Sequence, residues 1–339
     1  MRLEPTDEQD FLRSSVRGVV DREAPSGTVR RWAFEEGPGE AEAIAVRQGW
    51  SGIGLDEELG GQGGGMMELA ILAEELGRGA VPADRLYAGL LAALLLTELP
   101  DSGELVGQLA AGEPAAALGV QATRMVDRSG SDLALCLGAL GAERVVLVDE
   151  SGAVSLAPLA AQERAHVDRT RSFAAVTVCG EGERLGSLPA GGLLRAAERA
   201  AVLVAADALG AMQRMLDMTV EYVADRRQFG VPVGSFQAVS HQAAQMLVDV
   251  EATRSAVLYA AWALDAGERD ASRHAWIAKA AAAEAGIRIA DRALFLHGAI
   301  GYTWEHDLQL VFKRAKSDAW LFGTASAYQD RLADELALV

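Results

Sequence analysis

The chain has 339 residues, which excludes a disulfide-held miniprotein and leaves room for two or three domains with a sizeable buried core. Lys and Arg total 31 against 48 Asp and Glu, a net charge of −17, and that field disfavours a broad face for nucleic acid or an anionic membrane. Two cysteines, Cys136 and Cys179, build neither a disulfide framework nor a four-thiolate zinc site, a usage in keeping with a reducing cytoplasm.

Hydrophobic residues make up 50% of the chain but aromatics only 6%, the balance being largely Ala and Leu, so packed helices are expected before β-sandwiches. At the start, Thr6 with Gln9 three residues on predicts a capping box opening a helix to about Asp21. The segment Gln48–Gly65 is too rich in glycine for a regular helix. It lacks both the lysine and the preceding strand of a phosphate-binding loop, so a turn between helices is preferred. Helices resume at Met66–Gly77 and Ala83–Leu99. The most apolar run, Leu86–Leu96, is about 11 residues where a membrane span needs roughly 20. With no basic-then-apolar leader pattern at the N-terminus, a soluble, cytoplasmic protein is expected.

From about Leu118 to Leu188 the runs Leu133–Leu137, Arg144–Val148, Ala153–Leu156 and Ala174–Val178 are short, broken by Gly, Asp and Pro, and read as strands of a small sheet or barrel. After Pro189, Leu209, Met212, Leu216, Val220 and Val223 share one helical face, with Gly230 and Pro232 expected to stop the helix. Helical patterns then run over Phe236–Ala266, Ala271–Leu296 and Asp307–Leu321 with short connections, the pattern of a bundle. The fold expected is mainly α with a small β-domain: a helical domain over residues 1–118, a β-domain over 119–189 and a helical bundle over 190–339.

Common hydrolytic chemistry has no support. The five histidines, His166, His241, His274, His297 and His306, show no zinc-ligand spacing, no Gly-x-Ser-x-Gly elbow occurs, and neither cysteine has a basic neighbour. Two segments are more informative. Arg226-Arg-Gln-Phe-Gly-Val-Pro, followed by Phe236-Gln237, puts guanidiniums, aromatic rings and amides at one helix junction. His297-Gly-Ala-Ile-Gly-Tyr-Thr-Trp-Glu305 supplies glycines that let a ligand approach the backbone. From the residues alone, each also reads as a helix C-cap, the first with a solvated arginine pair.

These two segments resemble signatures of the acyl-CoA dehydrogenase family, and Gly49-Trp50, Glu57-Glu-Leu-Gly-Gly61 and Glu74-Glu-Leu-Gly-Arg78 resemble its N-terminal domain in the same order. The resemblance covers essentially the whole chain. It implies an N-terminal helical domain, a middle β-domain, a C-terminal four-helix bundle and FAD as cofactor. It also implies α,β-desaturation of an acyl-CoA or acyl-carrier thioester in lipid metabolism. Carried over residue by residue, Arg226 would meet the FAD diphosphate or adenosine. Gln228, Phe229, Phe236, Gln237, Phe295, Gly298, Ala299, Gly301, Thr324 and Ser326 stand at the other cofactor positions.

The departures are equally specific. The family's usual catalytic glutamate precedes a Gly-Thr pair, and gapless counting places that position at Phe322, before Gly323-Thr324. A smaller group of members carries the base at the start of the first bundle helix, and the same counting gives Ala200. Neither side chain accepts a proton. Glu198 and Asp207 are the nearby carboxylates, Glu198 reading otherwise as a solvated residue of the helix start. The glutamine of the family's Gln-x-x-Gly-Gly is Phe295 and its second glycine is Ala299, and the middle domain lacks the family's Thr-Glu-Pro, part of its flavin-ring segment. The expectation is a base-lacking subunit working with a larger homologous chain in a hetero-oligomer. The alternatives are a self-sufficient enzyme, as a homo-oligomer using Glu198 or Asp207, and a flavin-free scaffold.

Overall fold

The computed structural model describes residues 5–113, 116–120, 128–129, 132–149 and 151–337, so 121–127, 130–131 and 150 of the expected middle domain lie outside the described residues. Helix α1, Asp7–Glu23, opens on the expected capping box: Thr6 Oγ1 accepts from the Gln9 N–H and Gln9 Oε1 from the Thr6 N–H. Helix α2, Ser26–Arg31, runs into a single π-helical turn at Trp32–Glu36, and α3 spans Gly39–Arg47. The glycine-rich segment that follows folds on itself through two short 3-10 turns and an antiparallel bridge between Leu55 and Gly63. A Cβ on Gly61 would lie 2.2 Å from the Leu55 carbonyl oxygen, so that glycine serves a turn, in agreement with the reading against a phosphate cradle.

Helices α4 (Met66–Arg78), α5 (Asp84–Leu96) and α6 (Gly103–Ala110) come next. The sheet then forms from β1 (Ala116–Val120), β2 (Arg128–Ser129), β3 (Asp132–Leu137), β4 (Arg144–Val148), β5 (Ala153–Glu163), β6 (Phe173–Val178) and β7 (Glu183–Ser187). Strand order is β1-β4-β5-β6-β3-β2, with β7 on β5 and only β1–β4 parallel. Strand β5 runs past its expected end at Leu156. Its first half pairs with β4 and β7, and its second half, Leu159–Glu163, pairs with β6.

Helix α7 spans Gly192–Asp225, and a two-stranded hairpin of β8 (Arg227–Gln228) and β9 (Val231–Pro232) follows. The helix therefore ends five residues before Gly230, which sits in the hairpin turn instead of stopping the helix. Helices α8 (Gln237–Ala266), α9 (Ala271–His297), α10 (Leu308–Asp318) and α11 (Ala325–Glu335) complete the chain. On α7, Leu209, Met212, Leu216 and Val223 are buried as expected, whereas Val220 is 48% exposed.

Contacts divide the chain into two compact units, neither continuous in sequence. One comprises Met1–Val29, Ala70–Val81 and Val202–Val339, and the other Arg30–Leu69 and Pro82–Ala201. In the second unit the sheet core is built of small residues, Ala139, Val145, Ala157, Ala174 and Val176, covered by Ala88 of α5. In the first, α4 and α7 cross at glycines. A Cβ on Gly210 would lie 1.8 Å from the Glu74 carbonyl oxygen, and one on Gly77 would lie 2.0 Å from that of Asp207. The two backbones touch, and no side chain fits between them. Beside the crossing, the buried carboxylates of Glu74 and Glu75 are held by Arg13, Arg17, Arg78 and Arg254. Among the described residues no helix is long and apolar enough to cross a membrane.

Candidate functional site

The first informative segment begins where α7 ends. The register of β8 and β9 leaves a two-residue loop, Phe229-Gly230, with φ of 53° and 81°. Both central residues are left-handed, the geometry of a type I′ hairpin turn, and at its first position a non-glycine residue carries roughly 1–2 kcal/mol of strain. The ring this turn presents is 92% exposed, forgoing the roughly 1.5–3 kcal/mol that burying a Phe side chain contributes. It meets Phe236 edge-on at 6.2 Å between centroids. Arg226 is exposed, and its side chain makes no hydrogen bond or ion pair among the described residues. The Gln228 side-chain amide donates to the neighbouring Arg227 carbonyl, and Phe236 gives α8 no side-chain cap, with exposed Gln237 at its first position.

The second segment lies beside the first. His297, the last residue of α9, stacks on Tyr222 of α7 at 4.7 Å and meets His306 edge-on at 4.9 Å. Its Nδ1 lies 2.8 Å from the Ala293 carbonyl oxygen, and burial holds its pKa below the ordinary histidine value. Tyr222 is four residues before Arg226 and His297 one before Gly298, so the structure brings both segments to one end of the bundle. Gly298 has φ 62° and ψ −143°, with open space where a Cβ would stand. Phe295 is 69% exposed, and Ala299 is also exposed. Gly301 differs: it is buried, and a Cβ there would meet that of His297 at 2.9 Å, so its small size serves its own helix end.

The third segment follows α10. Phe322 has φ 59° and Gly323 φ 118°. The Phe322 carbonyl accepts from the Tyr328 hydroxyl at 2.7 Å, and the Thr324 hydroxyl accepts from the Ala327 N–H as the cap of α11, with Ser326 exposed beside it.

The carboxylates near the expected base positions are differently placed. Both oxygens of Asp207 accept from Arg314, at 2.8 and 3.0 Å, and both side chains are wholly buried. Such a carboxylate is held as the partner of a guanidinium, a role the chain reading did not assign it. Glu198 is 2% exposed on α7, which corrects its reading as a solvated residue of the helix start, and Ala200 is fully buried.

Sequence reasoning missed a buried ion pair in the second unit. Arg171 donates to Asp84 at 2.7 Å with both side chains inaccessible, Asp84 also accepts from the Ser172 N–H, and Asp168 accepts from Thr170 through N–H and hydroxyl. The Asp-x-Thr pattern of Asp168 and Thr170 was a readable turn signal. The pairing of Arg171 with Asp84 across 87 residues was not.

Residues 6–97 match the family model of the acyl-CoA dehydrogenase N-terminal domain and residues 193–336 that of the C-terminal domain. The chain belongs to the acyl-CoA dehydrogenase family and is an acyl-CoA dehydrogenase-like oxidoreductase. It is 32% identical over 338 residues to acyl-CoA dehydrogenase IpdE2 of Mycobacterium tuberculosis, covering 98% of this chain and 99% of that one. Among solved structures it is similar to the Tcur3481-Tcur3483 steroid ACAD G363A variant, with a TM-score of 0.86, 26% identity and 98% of each chain covered. The ChsE4-ChsE5 complex of Mycobacterium tuberculosis shares the fold at a TM-score of 0.88, with 24% identity and all of both chains covered.

Proposed function

We propose that this chain is the base-lacking subunit of a hetero-oligomeric acyl-CoA dehydrogenase that desaturates an acyl thioester with FAD. One observation carries the reading: Arg226, Phe229 and Phe295 stand exposed at one end of the bundle, while no proton acceptor stands at position 322 or 200. That end suits the group. Exposed Arg226 offers a cation for a diphosphate, the rings of Phe229, Phe236 and Phe295 offer an apolar wall for adenine, and Gly298 leaves room for close approach. Gln237 at the uncapped start of α8 adds an amide, and the α8 dipole favours negative charge there.

When bound, FAD supplies the hydride acceptor for the β-carbon. Removing the α-proton requires a positioned base, typically worth about 10² to 10⁴-fold, and in this reading the larger homologous chain provides it. That chain also supplies the flavin-ring contacts missing from the middle domain. The relatives support an assembly: one neighbour is described as a complex of two chains and another as a steroid ACAD, so a sterol-derived acyl-CoA is the first substrate to try.

Co-expression with a larger homologous chain, followed by size-exclusion chromatography and a flavin spectrum, tests the proposal. The expected result is co-elution with bound flavin and acyl-CoA oxidation only in the complex. A homo-oligomer that holds FAD and oxidises acyl-CoA alone contradicts it. In that event Glu198→Gln, with the flavin spectrum intact, tests the remaining buried carboxylate as base.

A further inference from the structure

The turn at 318–323 is tied by its carbonyl oxygens to one buried amine. Lys279, on α9 and 1% exposed, donates from Nζ to the carbonyl oxygens of Gly323 at 2.9 Å, Asp318 at 3.0 Å and Ala319 at 3.5 Å. A protonated amine has three N–H donors, and three acceptors surround it. Two of these are carbonyls at the C-terminal end of α10, where the helix leaves acceptors unsatisfied, so Lys279 caps that helix and ties Gly323 back to it. From α11, Tyr328 holds the one carbonyl within the turn that matters most, that of Phe322. A Cβ on Gly323 would lie 2.9 Å from the Tyr328 ring, which confines that step of the chain to glycine. Phe322 itself keeps a left-handed backbone, a conformation costing roughly 1–2 kcal/mol that persists only where its surroundings enforce it.

We infer that Lys279 and Tyr328 are positioning residues for position 322. They fix its backbone without reference to its side chain, so the turn is a rigid mount and Phe322 is the exchangeable group that decides what this chain does there. The mount explains why a strained turn survives around a residue that performs no proton transfer. Its significance for catalysis rests on the proposed function, whereas the mount itself does not.

Amide hydrogen exchange over residues 319–327, with urea unfolding, tests the mount in the full chain. Phe322→Glu should leave turn protection within about twofold of wild type, whereas Lys279→Met should lower it at least tenfold and Lys279→Arg recover most of the loss. Tyr328→Phe removes a single hydroxyl and should lower protection at 322–324 about threefold, which keeps the test decisive if Lys279→Met does not fold. Unchanged protection in Lys279→Met, or in Tyr328→Phe where Lys279→Met does not fold, overturns the inference, as does collapse of the turn in Phe322→Glu. Enoyl-thioester formation by the assembled enzyme is then compared with and without Phe322→Glu. A gain that Lys279→Met reverses in kcat, with KM unchanged, supports both the mount and the base position. An intact turn with no gain overturns the assignment of 322 as the base position and leaves the mount standing.

Discussion

Two regions of the same helical unit are built on opposite terms. Around the crossing of α4 and α7, glycines let backbones touch, Asp207 and Arg314 neutralise each other out of water, and Arg314 also satisfies the Val81 carbonyl. At the end of the bundle, a strained turn holds Phe229 in solvent, Phe295 stands exposed and the Arg226 side chain has no partner among the described residues. The first region is complete within this chain. The second leaves apolar and charged groups in solvent, the arrangement that the proposed cofactor and partner would cover.

The contrast breaks most visibly at Gly210. Gly210→Ala sets a methyl against the Glu74 carbonyl in a main-chain contact that cannot yield, and a loss above about 4 kcal/mol is expected, read as failure to recover folded protein or a collapsed urea midpoint. Next is Asp207→Asn, which leaves the Arg314 guanidinium buried without its counter-charge. A loss of about 3–5 kcal/mol by urea unfolding is expected. A base role for Asp207 would instead abolish turnover at nearly unchanged stability.

At the other end the sign reverses. Phe229→Gly relieves a left-handed backbone and removes an exposed ring, so the isolated chain should gain up to about 1 kcal/mol. The same variant should weaken flavin retention by the assembled enzyme at least tenfold. Loss of stability on this substitution would place the ring in this chain's own packing.

The smallest effect is a pH dependence. Burial pushes the Lys279 ammonium down to about 8, below its ordinary value of 10.5, so above pH 8 the unfolded chain binds more protons than the folded one. Stability should therefore rise by about 1 kcal/mol between pH 8 and 9. Burial also pushes the Cys136 thiol up to about 12 from 9.0, giving a slope of opposite sign above pH 9, where the curve should flatten. Cys136→Ala should restore the climb, and urea midpoints across this range decide it.

Local patterns were readable in the sequence, and non-local pairings were not. The Thr6–Gln9 capping box, strands β4 and β6 and the long bundle helices follow from spacing within a few residues. Short α6 and α11 carry too few turns for a clear period and escaped the reading. Gly77 and Gly210 look like weak helix positions until the crossing shows why nothing larger fits. Lys279 sits in an alanine-rich helix with no signal that carbonyls some 40 residues on require it. Of the candidate site, the two signature segments were legible, but their meeting through Tyr222 and His297 depends on how α7 and α9 pack.

The most direct test of the central claim is flavin content measured on this chain purified alone and purified after co-expression with a larger homologous chain. A colourless chain alone, and a yellow complex that oxidises acyl-CoA, is the result the account predicts. Stoichiometric FAD and acyl-CoA oxidation in the chain alone would contradict it.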